Sequence, residues 1–258
     1  MPPVEQRRTQ IFGNVHDWEN KQLATCTNLN TLRYDDETTD GKQIKNNSFK
    51  NPITTSIRPV FRDIEKELVE AIENCDSVVG CMAWLTNEPI LKALAKKKAV
   101  QIVVQQEDWL RPDSGEWTMR KQRELYKNLK HGVSNWFAAC NYASCDSISP
   151  IRVSGAPKNK NRNQPRMHHK FLVFIQGNVG YEEYFVDAVQ HSVWTGSFNA
   201  TKNGTNSLEN GVFIYDNAVA QAYTDEWRTV LMASAEIENQ SWYGSGYITE
   251  RDSLRDGT

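Results

Sequence analysis

The chain has 258 residues, 39% of them hydrophobic, and a formal net charge of -2, which is typical of an ordinary soluble globular protein with one large domain or two small ones. No uninterrupted apolar stretch approaches the roughly 20 residues that a membrane span needs, and the N-terminus lacks the apolar core of a signal peptide. These features argue against a membrane protein, and we expect a cytoplasmic location.

The sequence predicts a polar N-terminal arm followed by a folded domain. Residues 1–55 are rich in Asn, Thr and Asp and are predicted to be a polar N-terminal extension. We place one folded domain at 56–240 and a C-terminal tail at 241–258. After Arg58, with Pro59 in a first turn, apolar residues at helical spacing predict a surface helix; they are Phe61, Ile64, Leu68, Ile72 and Cys75.

A β-α-β unit follows this helix. The continuous apolar run at 77–85 predicts a buried strand, Asn87 can cap a helix over 88–98, and the run at 100–105 predicts a second strand. Such units pair their strands in parallel through a right-handed crossover. We therefore expect an α/β fold, with a mixed, largely parallel β-sheet flanked by helices on both faces.

The second half of the chain continues with helices and strands. Its composition and periodicity predict, in order, a helix over 111–132, a strand before Ser154, a loop over 155–166, a strand beginning near 170, a turn at 177–178, a return run at 184–194, a strand at 211–215 and a helix at 217–235.

Two sets of polar residues lie at the ends of these predicted strands. His168 and Lys170 stand two residues apart at the head of an apolar run, so in a strand both side chains leave the same face. Ser197, Asn199 and Glu209 follow the next hydrophobic run. An imidazole, a cation, an amide and a carboxylate make a plausible phosphoryl-transfer site that needs no metal or other cofactor.

Cysteines offer little support for a metal site. The five are odd in number and read as mostly reduced, buried thiols. The pair Cys140 and Cys145 lacks the matching second pair that is usual for structural zinc, so we predict none.

The order His-x-Lys, Gly-Ser-x-Asn and Glu in this chain resembles the phospholipase D superfamily, and in particular its small single-motif nucleases. The resemblance implies that His168 attacks phosphorus to give a phosphohistidine, and that Lys170 and Asn199 hold non-bridging oxygens. It also implies that Glu209, assisted by Ser197, accepts a hydrogen bond from the other ring nitrogen of His168.

The family also needs a second histidine, which protonates the leaving group. Because no second His-x-Lys occurs in the chain, the resemblance implies a homodimer with the active site at the subunit interface, where each His168 is nucleophile and its symmetry mate is acid. His169 and His191 are alternative acids. His169 should leave the opposite face of the strand, which argues against it, whereas His191 in the return run could approach the site.

One position departs from the family pattern. The family usually carries Asp beyond the apolar residues that follow the lysine, and Ile175 occupies that place here. Because this Asp is commonly a supporting residue, we still expect activity. Asp187 on the return run is a candidate for part of its role.

A basic segment leads to the site and suggests the substrate. No acidic residue occurs between Asp146 and Glu182, whereas six basic residues do: Arg152, Lys158, Lys160, Arg162, Arg166 and Lys170. We expect Lys158, Lys160, Arg162 and Arg166 to bind phosphates of DNA or RNA, with little sequence specificity. Two alternatives stay open: a nucleic-acid-binding module with weakened catalysis, and a hydrolase of phospholipids or small phosphodiesters.

Overall fold

The computed structural model of the chain describes residues 28, 48–51, 56–107, 110, 117–129, 149–155, 166–177 and 189–237. Within these ranges, eight strands form one sheet: β1 Ile57–Val60, β2 Ser77–Met82, β3 Ala99–Gln105, β4 Ile151–Ser154, β5 Lys170–Gln176, β6 Val189–Gly196, β7 Gly211–Ile214 and β8 Ala235–Glu236. The helices in the same ranges are α1 Ile64–Glu73, α2 Glu88–Leu94, α3 Trp117–Lys127, α4 Lys202–Asn206 and α5 Asn217–Met232.

The sheet has the strand order β1-β7-β6-β5-β2-β3-β4-β8. The pairs β2–β3 and β3–β4 are parallel, and the other pairs of neighbours are antiparallel. The predicted α/β class and the mixed sheet are confirmed. The sheet is nevertheless mostly antiparallel rather than largely parallel, because helical crossovers impose parallel pairing only on the strands that they join.

Helices cover both faces of the sheet, as predicted. Apolar side chains of α1, α2 and α3 form one buried cluster with the strands, which includes Leu68, Leu91 and Tyr126. Side chains of α5 form a second cluster against the opposite face, around Trp227 and Leu231. No helix in the described ranges is both long enough and apolar enough to cross a lipid bilayer.

The start of the domain differs from the prediction at Pro59. This residue lies in β1 instead of the first turn of α1, which begins at Ile64 after Asp63 in a left-handed conformation (φ 56°). β1 is an edge strand, where a missing N–H is tolerated. The Pro59 carbonyl accepts a hydrogen bond from Phe49 N at 3.1 Å, so residues 48–51 of the predicted extension pack beside this edge.

The predicted cap of α2 is confirmed, but its predicted C-terminus is not. The Asn87 side chain accepts a hydrogen bond from Ile90 N at 3.0 Å, as an N-cap does. The helix ends at Leu94, before the lysines at 96–98. Lys97 instead donates to the carbonyl oxygens of Glu73 and Cys75, at 3.1 and 2.9 Å, and so supports the C-terminus of α1.

The two cysteines in the described ranges are free and buried, consistent with the predicted reduced thiols. Burial raises the pKa of Cys75 to about 11 and also raises the pKa of Cys81. The other three cysteines and the predicted tail at 241–258 lie outside the described residues.

Candidate active site

Five strand ends lie at the same end of the sheet, which we call the rim. Lys170 at the start of β5 pairs with Met82 at the end of β2, and Gly196 at the end of β6 pairs with Gly211 at the start of β7. The end of β3 lies at the same edge, because Gln105 Oε1 accepts a hydrogen bond from Met167 N at 2.7 Å. The residues that precede β5, follow β6 and precede β7 therefore reach one rim, as the sequence predicts.

His168 and Lys170 lie side by side at this rim. Lys170 Nζ is 3.3 Å from Nδ1 and 3.2 Å from Nε2 of His168, and it donates a hydrogen bond to the His168 carbonyl oxygen at 3.1 Å. The His168 residue is exposed, whereas Lys170 is largely buried. An accessible imidazole is thus held next to an amine, which is the juxtaposition that the His-x-Lys spacing predicts.

His169 leaves the opposite face of the same segment. Its Nε2 lies 3.0 Å from Glu226 Oε1 on α5, and its ring packs edge-on near Phe171, with 5.8 Å between centroids. The predicted alternation of side chains is confirmed here. His169 therefore lies on the α5 side, away from the His168 and Lys170 pair.

The surroundings of His168 favour the neutral form of its imidazole. Desolvation lowers the pKa of His168, and the positive charges of Lys170, Arg166 and His169 lower this pKa further. Partial burial also lowers the pKa of Lys170, although the charge of Glu209 opposes that change. A neutral imidazole has the free lone pair that nucleophilic attack requires.

Ser197 and Glu209 form one hydrogen-bonded unit. Ser197 Oγ donates to Glu209 Oε2 and accepts from Asn210 N at 3.0 Å, while Ser197 N donates to the Asn210 carbonyl oxygen, also at 3.0 Å. Among the hydrogen bonds of the described residues, none joins Glu209 to His168. Glu209 instead acts on Lys170 through its charge, so its expected role in orienting the imidazole stays a prediction.

The Asn199 backbone is held in the turn before α4. Its backbone oxygen accepts a hydrogen bond from Thr201 N at 2.7 Å, and Thr201 caps α4 by accepting from Gly204 N at 3.0 Å. Within the described part of the chain, the buried Asn199 Oδ1 has no hydrogen-bond partner. Such an atom is costly unless a ligand or water satisfies it, but the catalytic role of Asn199 stays a prediction.

Two arginines of the basic segment pair with acidic residues from other parts of the chain. Arg166 Nη1 lies 3.2 Å from Glu107 Oε1, and Arg152 pairs with Glu236 on β8. Although the segment itself contains no acidic residue, these two arginines are therefore paired with acids from distant parts of the chain. The three other predicted phosphate-binding residues, Lys158, Lys160 and Arg162, lie outside the described residues.

His191 and Ile175 lie at the opposite end of the sheet. His191 is the extra residue of a bulge, since Ser192 pairs with Phe174 and Gln190 with Ile175. It stands five residues before Gly196, roughly 16 Å along the strand at 3.3 Å per residue. Ile175 is fully buried in the apolar core. Within one chain, His191 is therefore too distant to be the acid; Asp187 lies outside the described residues.

Sequence reasoning missed a tryptophan and a glutamate at the rim. The apolar run at 77–85 predicts Trp84 inside a buried strand, but β2 ends at Met82 and the indole emerges beside His168, with 5.4 Å between ring centroids. Trp84 Nε1 donates to Glu107 Oε1 at 3.0 Å. Nothing in the local sequence around Glu107 indicates this contact, which joins residues from the ends of two strands.

Metal ligands do not cluster in the described part of the chain: no group of three or more His, Cys, Asp or Glu residues there could hold a metal ion.

Comparisons with known proteins agree with the motif. Residues 68–231, more than half of the chain, match the family model described as "Cardiolipin synthase, PLD-like domain". The chain is 32% identical over 217 residues to uncharacterized protein L381 of Acanthamoeba polyphaga mimivirus, covering 78% of this chain and 73% of the relative.

Two solved structures are similar at a lower level. NucT from Helicobacter pylori has a TM-score of 0.42 and 15% identity, covering 69% of this chain and 97% of its own. Nuc from Salmonella typhimurium, a phospholipase D family member, has a TM-score of 0.44 and 18% identity, covering 71% and 99%. These likenesses are weak, and the assignment of the chain to a family rests on the family model.

Proposed function

The chain belongs to the phospholipase D-like family, and from that premise we propose that it is a phosphodiester hydrolase, a homodimeric endonuclease that cleaves DNA or RNA without a metal ion. The observation that carries this proposal is the exposed imidazole of His168, whose Nδ1 lies 3.3 Å from Lys170 Nζ. A nucleophile and a cation for phosphoryl oxygens thus stand together at one rim.

In the first step, a ring nitrogen of His168 attacks phosphorus in line with the leaving oxygen. A nitrogen–phosphorus bond forms, the phosphorus–oxygen bond breaks, and the departing alkoxide takes a proton from a general acid. Lys170 and Asn199 hold the non-bridging oxygens on which negative charge develops. Asn199 would do so through the N–H donors of Nδ2, because its Oδ1, which is buried without a partner among the described residues, is an acceptor and cannot bind an anionic oxygen.

In the second step, water attacks the phosphohistidine. The general acid, now deprotonated, takes a proton from the water, and the nitrogen–phosphorus bond breaks to release the phosphate product and His168. The hydrogen-bonded pair of Ser197 and Glu209 orients the imidazole once substrate is bound, since catalytic hydrogen bonds often tighten only in the complex.

The general acid is His168 of the partner subunit in its protonated form, so that the two His168 rings share one proton when substrate binds. Within one chain, His169 is paired with Glu226 on the other face and His191 lies at the far end of β6, so neither stands beside His168. A twofold axis beside the rim places the two His168 rings on opposite sides of one phosphorus atom.

Nucleic acid is the substrate class that the charge near the site favours. Arg166 binds Glu107 through Nη1 and keeps further N–H donors, with 34% of its side chain exposed. Together with Lys158, Lys160 and Arg162, it is proposed to contact phosphates next to the scissile one. Contacts confined to phosphate predict little sequence specificity.

Digestion in EDTA tests this proposal. We expect the purified protein to cleave single- or double-stranded DNA or RNA in the presence of EDTA, and His168→Ala to lose this cleavage because the nucleophile is missing. The matched control is His191→Ala, which removes an imidazole at the other end of the sheet and should cleave like the unaltered protein. Cleavage that requires added magnesium would contradict the proposal.

A binding measurement and a vesicle assay, run beside this digestion, separate the two alternatives. Retained binding of nucleic acid without cleavage by the unaltered protein, over a broad pH range, would identify a binding module. Turnover of vesicle phospholipid without any effect on nucleic acid would identify a lipid hydrolase.

A further inference from the structure

Trp84 lies on a backbone segment that is fixed on both sides. Before it, Ala83 N donates to the His169 carbonyl oxygen at 2.9 Å, and the Ala83 carbonyl oxygen accepts from Gln105 N at 3.0 Å. After it, the Leu85 carbonyl oxygen accepts from Gln122 Nε2 at 3.1 Å and from the Tyr126 hydroxyl at 2.6 Å. The segment that carries the indole therefore has little freedom to move relative to β3, α3 and the His168 segment.

Glu107 fixes the indole itself. Glu107 Oε1 accepts a hydrogen bond from Trp84 Nε1 at 3.0 Å and one from Arg166 Nη1 at 3.2 Å. The Glu107 side chain is only 13% exposed, so its carboxylate depends on these donors for satisfaction. The largely buried Glu107 carboxylate thus links the Trp84 indole to Arg166, which lies two residues before His168.

The fixed indole contacts both members of the reacting pair. Its ring meets the His168 ring edge-on, with an interplanar angle of 80°, and Lys170 Nζ lies 5.9 Å from the Trp84 ring centroid. Edge-on aromatic pairs and cations over an indole face are both favourable. His168 precedes the first residue of β5, so the strand ladder does not itself set the direction of its ring.

We propose that Trp84, held by Glu107, is a positioning residue that fixes the His168 imidazole beside Lys170 for attack on phosphorus. The inference rests on the proposed function, and it adds to it a device made of residues outside the His-x-Lys and Gly-Ser-x-Asn motifs. The indole limits rotation of the imidazole, which an exposed side chain would otherwise undergo, and so keeps a ring nitrogen directed at the substrate.

Turnover kinetics of two Trp84 variants test the effect on catalysis. Trp84→Leu should lower kcat about 10- to 100-fold, the usual range for loss of an orienting neighbour, with KM changed by less than about threefold. Trp84→Phe keeps an aromatic ring but loses the N–H donor, so its loss of kcat should be smaller. A Trp84→Leu enzyme that is folded and turns over at the unaltered rate would overturn the inference.

Two Glu107 variants test how the indole is held. Glu107→Gln keeps an acceptor for Trp84 Nε1 but loses the charge opposite Arg166, so its kcat should fall less than that of Glu107→Ala. Glu107→Ala removes the acceptor as well and should lower kcat as Trp84→Phe does. Equal values of kcat for these two Glu107 variants would count against the role of Glu107.

Nuclear magnetic resonance of the histidine rings gives a readout that does not depend on turnover. In Trp84→Leu the His168 ring resonances should shift because the indole ring current is removed, whereas those of His191 should stay in place. If Trp84→Leu does not fold, Trp84→Phe serves for the same comparison. An unmoved His168 resonance refutes the inference even if the protein is a nuclease, and a shifted one supports the contact even if no cleavage is found.

Discussion

At the residue scale, the reactivity of His168 depends on charges supplied by its neighbours. Lys170, Arg166 and His169 all disfavour a protonated imidazole, and desolvation acts in the same direction. No acid contacts the ring within the described part of the chain, because Glu209 is bonded to Ser197 and Glu226 faces His169. The His168 ring is therefore neutral over a wider range of acidic pH than a free histidine.

The first residue-scale prediction concerns Lys170→Met. Removing this positive charge should raise the pKa of His168 toward its ordinary value of about 6.5. The acidic limb of the kcat/KM profile should then move to higher pH, and kcat should fall by about 10²- to 10³-fold because a charge that stabilises the transition state is lost. Titration of the His168 ring by nuclear magnetic resonance and a pH–rate profile measure the two effects.

The matched control for this variant is Lys96→Met. Lys96 is exposed, pairs with Glu73 and lies beyond the C-terminus of α2. The Lys96→Met variant should therefore change neither the pKa of His168 nor kcat. A His168 pKa that stays the same or falls in Lys170→Met would show that Lys170 does not act on the imidazole through its charge.

The residues of the site differ in how far the sequence could predict them. His168 and Lys170 were predictable because two residues of spacing near a strand fix their common face. Trp84 and Glu107 were not, since their contact depends on where β2 ends and on how the ends of β2 and β3 meet. The ion pair of Arg166 with Glu107 was missed for the same reason, because it joins residues far apart in the chain.

At the element scale, the segment that enters β5 is held by the end of β3 and the residue after β4. Gln105 Oε1 accepts a hydrogen bond from Met167 N, and Gly155 forms a bridge with Arg166. Gly155 has φ +81°, and a Cβ there would lie 2.4 Å from Gln105 Oε1 and 2.6 Å from Met167 N. Only glycine fits this close approach without displacing the backbone next to His168.

Gly155→Ala is the element-scale prediction. Strain at a positive φ should lower the free energy of unfolding by about 1–3 kcal/mol, and the clash should also displace Met167 and His168, lowering the activity of the folded protein. Gly177→Ala is the control: Gly177 also has a positive φ (97°), but it follows β5 at the end of the sheet opposite to His168. The Gly177→Ala variant should be less stable, but its folded form should keep its activity.

Chemical unfolding and kinetics on the same samples measure both effects of these variants. If both variants lose the same share of activity after correction for the fraction of folded protein, the contacts of Gly155 and Gln105 with the segment before β5 do not position His168.

The elements themselves were predicted best where apolar periodicity was continuous. β3, β5, β7 and α5 lie where the sequence places them, β2 begins at the predicted residue but ends earlier, and Asn87 caps α2. Pro59 was misplaced because proline suits both a first helical turn and an edge strand, and only the pairing of β1 with β7 decides between them. α2 ends before the three lysines, and Lys97 donates to the Glu73 carbonyl oxygen at the C-terminus of α1, a contact across 24 residues that local sequence does not indicate.

At the scale of the whole molecule, the sheet combines two pairing modes that local sequence does not distinguish. The β-α-β pattern fixes the parallel pair of β2 and β3. It does not fix the partner of β5, which lies antiparallel to β2 and thereby brings His168 to the same rim as Trp84. The α/β class followed from element order, whereas the mostly antiparallel pairing followed from tertiary contacts.

Subunit mixing is the whole-molecule prediction. If each active site needs the His168 of both subunits, a dimer with one His168→Ala subunit is inactive, and activity falls as the square of the unaltered fraction. An equal mixture of exchanged subunits should then keep about a quarter of the activity. Independent sites would keep about half, and a monomeric mass in solution together with full activity would refute the shared site.

Trapping of the covalent intermediate is the most direct test of the account, because every proposed role depends on attack by His168. A short labelled oligonucleotide is mixed with excess enzyme in EDTA, quenched in alkali, where phosphohistidine is stable, and the enzyme is mapped by peptide mass spectrometry. We predict a phosphorus-linked adduct on the peptide that contains His168, and none in His168→Ala. An adduct on another residue, or product formed in a single turnover without any adduct on His168, would contradict the account.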